Sequence, residues 1–210
     1  FLHCVIALKG STMAAISKVD NPITLFEQWL AEADACDTIK EPTAMIMATV
    51  DESGMPDART VLLKGVDDGG FVFYTNLTSV KGRQLAANPN VALCFYWMDL
   101  DKQVRIQGKV HPVTDAEADE YFHSRPKQSQ IGAWASKQSQ PYEKRFELEK
   151  RLAKYTAKYG IGEVPRPEFW SGFRLEPQRI EFWLKAPYRL HDRVQYTRQG
   201  DTWNTTRLFP

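Results

Sequence analysis

The 210-residue chain has little cysteine, no long apolar run, no surplus of one charge and no glycine-rich phosphate motif. Its three cysteines, Cys4, Cys36 and Cys94, show neither a C-x-x-C pair nor a Cys/His ligand spacing. That excludes a disulfide frame and a zinc site, and fits a protein of the reducing cytoplasm. No stretch reaches the roughly 18 apolar residues that span a bilayer, so no membrane partner is expected. With 27 basic against 26 acidic residues the net charge is +1, which excludes nucleic-acid binding through bulk charge. Any anion site must therefore be local. No G-x-G-x-x-G follows a strand and no Walker A sequence exists, so a nucleotide held by a glycine loop is not expected. The absence of H-E-x-x-H and G-x-S-x-G removes the common metalloprotease and hydrolase signatures, and no metal is expected.

What is there suits one domain. A hydrophobic content of 43% supports a real core. The opening FLHCVIALKG lacks the basic start and cleavage site of a signal peptide. Residues 1–20 are expected to be a disordered extension, with Met13 a candidate natural start, and 21–210 a single folded unit. Asn21 and Pro22 open a helix carrying Leu25, Phe26, Trp29, Leu30 and Ala33 on one face. The period then becomes that of strands: 43–50, buried on both faces, a turn at Glu52-Ser53-Gly54, then 58–64 and 71–76. A short helix over 79–87 precedes strands at 91–97 and 103–110. Thr114 and Glu117 form a capping box for a helix to His123, followed by helices over 126–135 and 141–159. The longest of these would pack through Leu148, Leu152, Tyr155 and Tyr159. Strands return at 171–175, 179–185, 189–198 and 202–207. Antiparallel strands interrupted by helices, without βαβ alternation, predict an α+β barrel.

Three groupings could carry chemistry. The stretch 121–142 contains no acid, yet holds Arg125, Lys127 and Lys137 among serines and glutamines. Pro126 sits where a helix begins, with Ser124 or Arg125 at the cap and Ser129 in the first turn. That set suits a phosphate, and it equally describes a polar surface helix with no ligand. In RLHDR, Arg189, His191 and Arg193 alternate, so a strand would point all three to one face about 7 Å apart. An anion across them, or a solvated edge strand, would each account for the pattern. Arg59 and Lys64 are separated by an odd number, so a regular strand sends them to opposite faces; one ligand meets both only at a bulge or strand end, and otherwise they serve two different anions or simply face solvent. Lys81 lies near a helix start. Gln103 opens an alternating strand, and its amide could pair with a heterocycle edge. Trp183 shares a face with Arg179 and Glu181, an odd place for tryptophan unless a ligand or partner covers it.

Taken together, PTAMIMATVDESG, RTVLLKG, VFYTN, YFHSRPKQSQIGAWASKQS, GEVPRPEFWSGFR, IEFW, RLHDR and the closing RLFP resemble the pyridoxine/pyridoxamine 5'-phosphate oxidase family, from about residue 22 to the end. The resemblance implies a mostly antiparallel, FMN-binding split β-barrel with peripheral helices, a homodimer with flavin mononucleotide (FMN) at the interface, and oxidation of B6 phosphates by O2. It places the FMN phosphate and ribityl chain near Arg59, Tyr74, Thr75, Lys81, Gln138 and Ser139. The flavin ring falls to the main chain of Arg59, Thr60, Val61, Leu62, Leu63 and Lys64, and to Gln103, Trp183 and Arg193. Substrate phosphate falls to Lys64, Tyr121, Arg125 and Ser129, with Arg189 and His191 over the substrate ring as catalytic residues. The chain departs from the family pattern at Val80, where a second basic residue is common, and in having no Arg-x-x-Tyr lid segment before Asn21. A related flavoprotein with another substrate, a non-catalytic FMN or pyridoxal phosphate carrier, and a purely structural barrel are the competing readings.

Overall fold

A computed structural model describes residues 15–210. Helix α1 (Pro22–Asp34) starts as its sequence dictates: Asn21 Oδ1 accepts the Ile23 N–H at 2.9 Å and Pro22 occupies the first turn. It buries Phe26 edge-on against Phe71 and Phe95, at 4.9 and 5.0 Å between ring centroids, and Trp29 against Phe182 at 5.2 Å. The strands that it plugs are β1 (Ala44–Val50), β2 (Pro56–Leu62), β3 (Gly65–Asp67), β4 (Gly70–Asn76), then, after α2 (Val80–Ala87), β5 (Asn90–Trp97) and β6 (Lys102–Pro112). Helices α3 (Asp115–Ser124), α4 (Lys127–Ala135) and α5 (Glu147–Tyr159) precede β7 (Trp170–Leu184), β8 (Asp192–Gln199) and β9 (Thr202–Arg207).

All strand pairs are antiparallel, in the order β2-β1-β5-β6-β7-β4-β3, with β8 on β7 and β9 on β8. The sheet curls back on itself, because Lys64, just past β2, donates its N–H to Val72 O of β4 at 2.8 Å. This is the predicted α+β split barrel. Strand β7 is what splits it: its first half pairs with β4 and its second with β8, while β6 runs beside both. The sequence suggests two strands here, at 171–175 and 179–185. They are one strand, bent at a bulge opposite Gln107/Gly108. A Cβ on Gly108 would come within 2.0 Å of Glu176 O, so only glycine admits that approach.

Three further expectations are corrected. Strand β1 is buried on one face only: Met45, Met47 and Thr49 point inward, but Ile46 is 46% exposed. Helix α5 begins at Glu147 rather than 141, and Leu148 and Leu152 remain exposed; Tyr155 and Tyr159 supply its packing, against Trp134. Order also begins before Asn21. Ile16 is buried, its N–H donates to Asp192 Oδ2 at 2.7 Å, and Val19 N donates to Tyr196 Oη at 3.1 Å. Residues 1–14, with the expected start at Met13 and most of the expected extension, lie outside the described residues.

A second apolar cluster, Phe122, Ile131, Val164 and Trp170, packs α3–α5 against the start of β7. Among the described residues no helix is long and apolar enough to cross a membrane.

Candidate active site

A cleft of about 640 Å³ lies between the β2 end, the β4 end and the α3–α4 corner. At that corner the capping box closes in both directions: Glu117 N donates to Thr114 Oγ1 at 3.2 Å and Thr114 N to Glu117 Oε2 at 2.9 Å. The Thr114 N–H and hydroxyl, with Arg174, hold the Glu117 carboxyl below its ordinary range. Helix α3 thereby delivers Tyr121 and, just past its end, Arg125 to the cleft. Ser129 in α4 and Lys64 line the same end, so the four residues assigned to substrate phosphate do come together. The expected cap does not form, however. Pro126 itself occupies the N-cap of α4, and Ser124 Oγ instead donates to Tyr121 O at 2.8 Å.

Arg125 makes no ion pair within 4 Å among the described residues. Its Nη1 is the one buried side-chain nitrogen or oxygen there without a hydrogen-bond partner. Burial pulls its guanidinium below the usual arginine value, partly offset by Tyr121. It is held by ring faces, at 4.9 Å from Trp170 and 5.7 Å from Phe122. Tyr74 stacks on Tyr121 at 4.0 Å and on Trp170 at 5.3 Å. Burial raises both phenols, which leaves them protonated and able to donate at neutral pH.

At the other end, Ser79 caps α2: its Oγ accepts the Gly82 N–H at 3.2 Å and donates to Asn76 O at 2.7 Å. Lys81, in the first turn, reaches Gln138 Oε1 at 3.0 Å, and Thr75 Oγ1 approaches the same oxygen at 3.5 Å. Burial lowers the Lys81 pKa, and the neighbouring Arg59 charge lowers it further. Thr60, Val61 and Leu62 line the cleft along β2, which pairs only with β1 and so leaves one edge of its main chain open. The Leu63 side chain is buried in the core. Arg59 does not line the cleft. It lies on Thr49 Oγ1 (2.5 Å), Gln84 Oε1 (3.0 Å) and Asp57. Arg59 and Lys64 thus diverge, but β2 ends at Leu62, two residues short of the expected strand end, so strand parity does not set the direction of Lys64. Ser139, at φ 68°, lines an adjacent small pocket of about 220 Å³ that shares Gln138 with the main cleft.

The remaining assigned residues form a separate group. Gln103, Trp183 and Arg193 stand in one row across β6, β7 and β8. The His191 ring lies 4.6 Å from Trp183, and Ala186 N donates to its Nδ1 at 3.2 Å. A backbone N–H only donates, so Nδ1 is the acceptor and the proton of the neutral ring sits on Nε2. The Arg193 guanidinium donates twice to Glu181 Oε1, at 3.0 and 2.8 Å, and once to Phe209 O at 2.9 Å. The expected single strand face for Arg189, His191 and Arg193 is incorrect. Strand β8 begins only at Asp192, and Arg189 closes a 3-10 turn in which Tyr188 and Arg189 both have positive φ, 58° and 63°. None of this second group lines the 640 Å³ cleft.

The sequence reading missed Trp170, Thr49, Gln84 and Glu181 as functional supports. An aromatic residue directly before Ser171-Gly172 was the available signal for Trp170: a Cβ on Gly172 would lie 2.6 Å from the Tyr74 ring, so the stack requires that glycine.

The family model described as pyridoxamine 5'-phosphate oxidase matches residues 32–159, and one described as a pyridoxine 5'-phosphate oxidase C-terminal dimerisation region matches residues 170–210. Pyridoxine/pyridoxamine 5'-phosphate oxidases of Rhodopseudomonas palustris and Bradyrhizobium diazoefficiens are each 56% identical, over 95% of this chain and 94% of theirs. The crystal structure of PhzG from Burkholderia lata, in complex with tetrahydrophenazine-1-carboxylic acid, is 35% identical. It covers 92% of this chain and 95% of its own with a TM-score of 0.87. A pyridoxamine 5'-phosphate oxidase-related, FMN binding protein from Nostoc punctiforme shares the fold, with a TM-score of 0.74 at 14% identity over 93% of this chain and 100% of that one.

Proposed function

This chain belongs to the pyridoxine/pyridoxamine 5'-phosphate oxidase family, and we propose that it is an oxidoreductase converting pyridoxamine and pyridoxine 5'-phosphates to pyridoxal 5'-phosphate, with O2 as acceptor and H2O2 released. The observation that carries the substrate class is Arg125, a half-buried cation lining the cleft with no carboxylate within 4 Å among the described residues and a buried, unpartnered Nη1, beside Lys64, Tyr121 and Ser129. A phosphate dianion satisfies all four; a neutral ligand would leave the cation uncompensated.

The cofactor is FMN, and the other end of the cleft fits it. Lys81, Thr75 and Gln138 supply a cation and neutral donors for its phosphate, with the Arg59 charge near enough to lower the Lys81 pKa. The open main-chain edge of β2 offers N–H and C=O groups to a flavin ring. FMN supplies the two-electron acceptor that no side chain of this protein provides. The amine substrate also consumes one water and releases ammonium; the alcohol needs O2 alone.

The chain's own residues bind and orient. Anchoring the phosphate turns a small ligand into a positioned one. Arg189 aligns the ring-side oxygen or the C4' substituent. His191, with its proton on Nε2, serves as a donor that orients the substrate. Arg193 faces the flavin ring with its charge balanced by Glu181. In this reading the protein is a homodimer: the Gln103–Trp183–Arg193 row and the 189–191 turn complete the partner's cleft, with FMN at the interface. The free thiols Cys36 and Cys94 suit a cytoplasmic setting.

The test is an absorbance spectrum of purified protein, then anaerobic pyridoxamine 5'-phosphate, then air. Flavin bands that bleach and return with H2O2 and pyridoxal 5'-phosphate are expected. A yellow protein that does not bleach, or a colourless one that FMN does not reconstitute, would overturn the proposal.

A further inference from the structure

We infer that Trp170 is a positioning residue of the substrate-phosphate site: its indole face holds the Arg125 guanidinium at the cleft wall without engaging its N–H donors. The inference rests on the function proposed above and adds to it the reason why Arg125 can stand there uncompensated.

Arginine cations are normally steered by carboxylates. A carboxylate at Arg125 would compete with the ligand phosphate for the same fork of N–H groups. Here the steering is done by rings. The guanidinium lies 4.9 Å from the Trp170 ring and 5.7 Å from Phe122, and tryptophan presents the strongest π-face of the aromatic side chains. A ring attracts the cation without using its N–H donors, so charge and donors both remain for the ligand.

Trp170 is itself immobilised. It is 7% exposed and stacks on Tyr74 at 5.3 Å with 5° between the planes. Its backbone N–H donates to Pro167 O at 2.9 Å, and its backbone carbonyl accepts from Arg166 Nη1 at 2.9 Å. The other arms of Arg166 reach Asp119 at 2.6 Å and Asp115 at 2.7 Å, both on α3. Arg166 therefore clamps the root of the ring platform to the helix that ends just before Arg125. Platform and cation share one rigid frame.

The experiment compares Trp170→Leu, Trp170→Phe and Arg125→Ala with the wild-type holoenzyme. It reads the Kd of inorganic phosphate by calorimetry, KM and kcat for pyridoxamine 5'-phosphate, KM for unphosphorylated pyridoxamine, and flavin content. Trp170→Leu is expected to raise phosphate Kd and substrate KM together by roughly five- to thirtyfold, the range of a desolvated cation–π contact. Flavin content, kcat and the KM for pyridoxamine should move less than about twofold by the same reasoning. Trp170→Phe, which keeps a ring face, should recover most of the loss and covers the case in which the leucine variant folds poorly. Unchanged phosphate Kd in Trp170→Leu beside a large loss in Arg125→Ala would overturn the inference and leave the phosphate site standing. So would a parallel fall in kcat, flavin content and affinity for both amines, which marks a general packing defect. Unchanged phosphate Kd in Arg125→Ala would overturn the phosphate site itself, and this inference with it.

Discussion

Replacing Arg59 with methionine separates the bracing contacts seen in the structure from the role proposed for it at the FMN phosphate. Arg59 Nη1 donates to Thr49 Oγ1 at 2.5 Å and Met47 O at 3.3 Å, and Nη2 to Gln84 Oε1 at 3.0 Å. Thr49 is fully buried and Gln84 nearly so, yet they also bond each other at 2.6 Å, so neither is orphaned when the arginine goes. The folding cost is then that of ordinary hydrogen bonds, about 2–3 kcal/mol in all. The Asp57 ion pair adds little, because the Asp57 side chain is 45% exposed. On the cofactor side, one charge-assisted bond to the FMN phosphate contributes about 1.5–3 kcal/mol, which is a roughly ten- to 150-fold weaker Kd. Fluorescence titration of the apoprotein with FMN measures the second quantity, and thermal melting of the apoprotein the first. Arg59→Lys, which keeps the charge but not the fork, should fall between wild type and methionine in both. An Arg59→Met protein that melts early but binds FMN within about threefold of wild type would refute the cofactor role and reduce Arg59 to a brace.

Three further outcomes are expected. The free Lys81 amine loses its proton below the usual lysine value of 10.5, because burial and Arg59 disfavour its charge. FMN affinity should therefore fall as pH rises through that lowered pKa, and a Kd–pH titration of Lys81→Met should be flat where wild type bends. Burial opposes ionisation of Asp192, but Arg207 and the Ile16 N–H outweigh it and hold the carboxyl below 3.8. Its stabilising effect is complete above 3.8 and lost as pH falls through the folded value, so hydrogen exchange at the Ile16 and Val19 amides should accelerate in acid, and Asp192→Asn should remove that step. Gly172→Ala drives a methyl to 2.6 Å from the Tyr74 ring. It should cost about 1–3 kcal/mol by denaturant titration and raise the KM for the phosphorylated substrate, since the Tyr74–Tyr121–Trp170 stack must shift.

Local chemistry made much of this fold legible. Asn21-Pro22, the Thr114/Glu117 box and the alternation of β6 each name a backbone state directly, and each stands where it was expected. What stayed hidden depends on tertiary context. The Pro187–Arg189 turn holds two consecutive left-handed residues, Tyr188 and Arg189, with no glycine to announce them, and so the alternation read through RLHDR fails before Asp192. Ile46 looks like core because apolarity does not say which face is covered. Of the candidate site, Arg125 was visible within an acid-free stretch, whereas its neighbour Lys127 turns away to the Gly160 and Gly162 carbonyls, and the parity of Arg59 and Lys64 does not apply because β2 ends at Leu62. The supports were not visible: Thr49, Gln84, Glu181 and Trp170 are read as filler until their contacts are seen.

In the proposed reading, those supports let a chain of net charge +1 offer four cations to two phosphates. Each cation is restrained differently. Arg59 is braced on buried neutral oxygens and an exposed aspartate, and Lys81 is loosely tied to a glutamine amide that a phosphate can replace. Arg125 is held by rings, and Lys64 stands at the open β2 edge. Arg193, assigned to the flavin ring rather than a phosphate, is the one paired tightly to a buried carboxylate, Glu181. The distribution follows the charge each residue has to meet. Lys64, Lys81 and Arg125 make no ion pair among the described residues and so keep their charge for the proposed dianions, Arg59 keeps the exposed Asp57, and Arg193 is given the buried Glu181, which it shares with Arg105 at 3.4 Å.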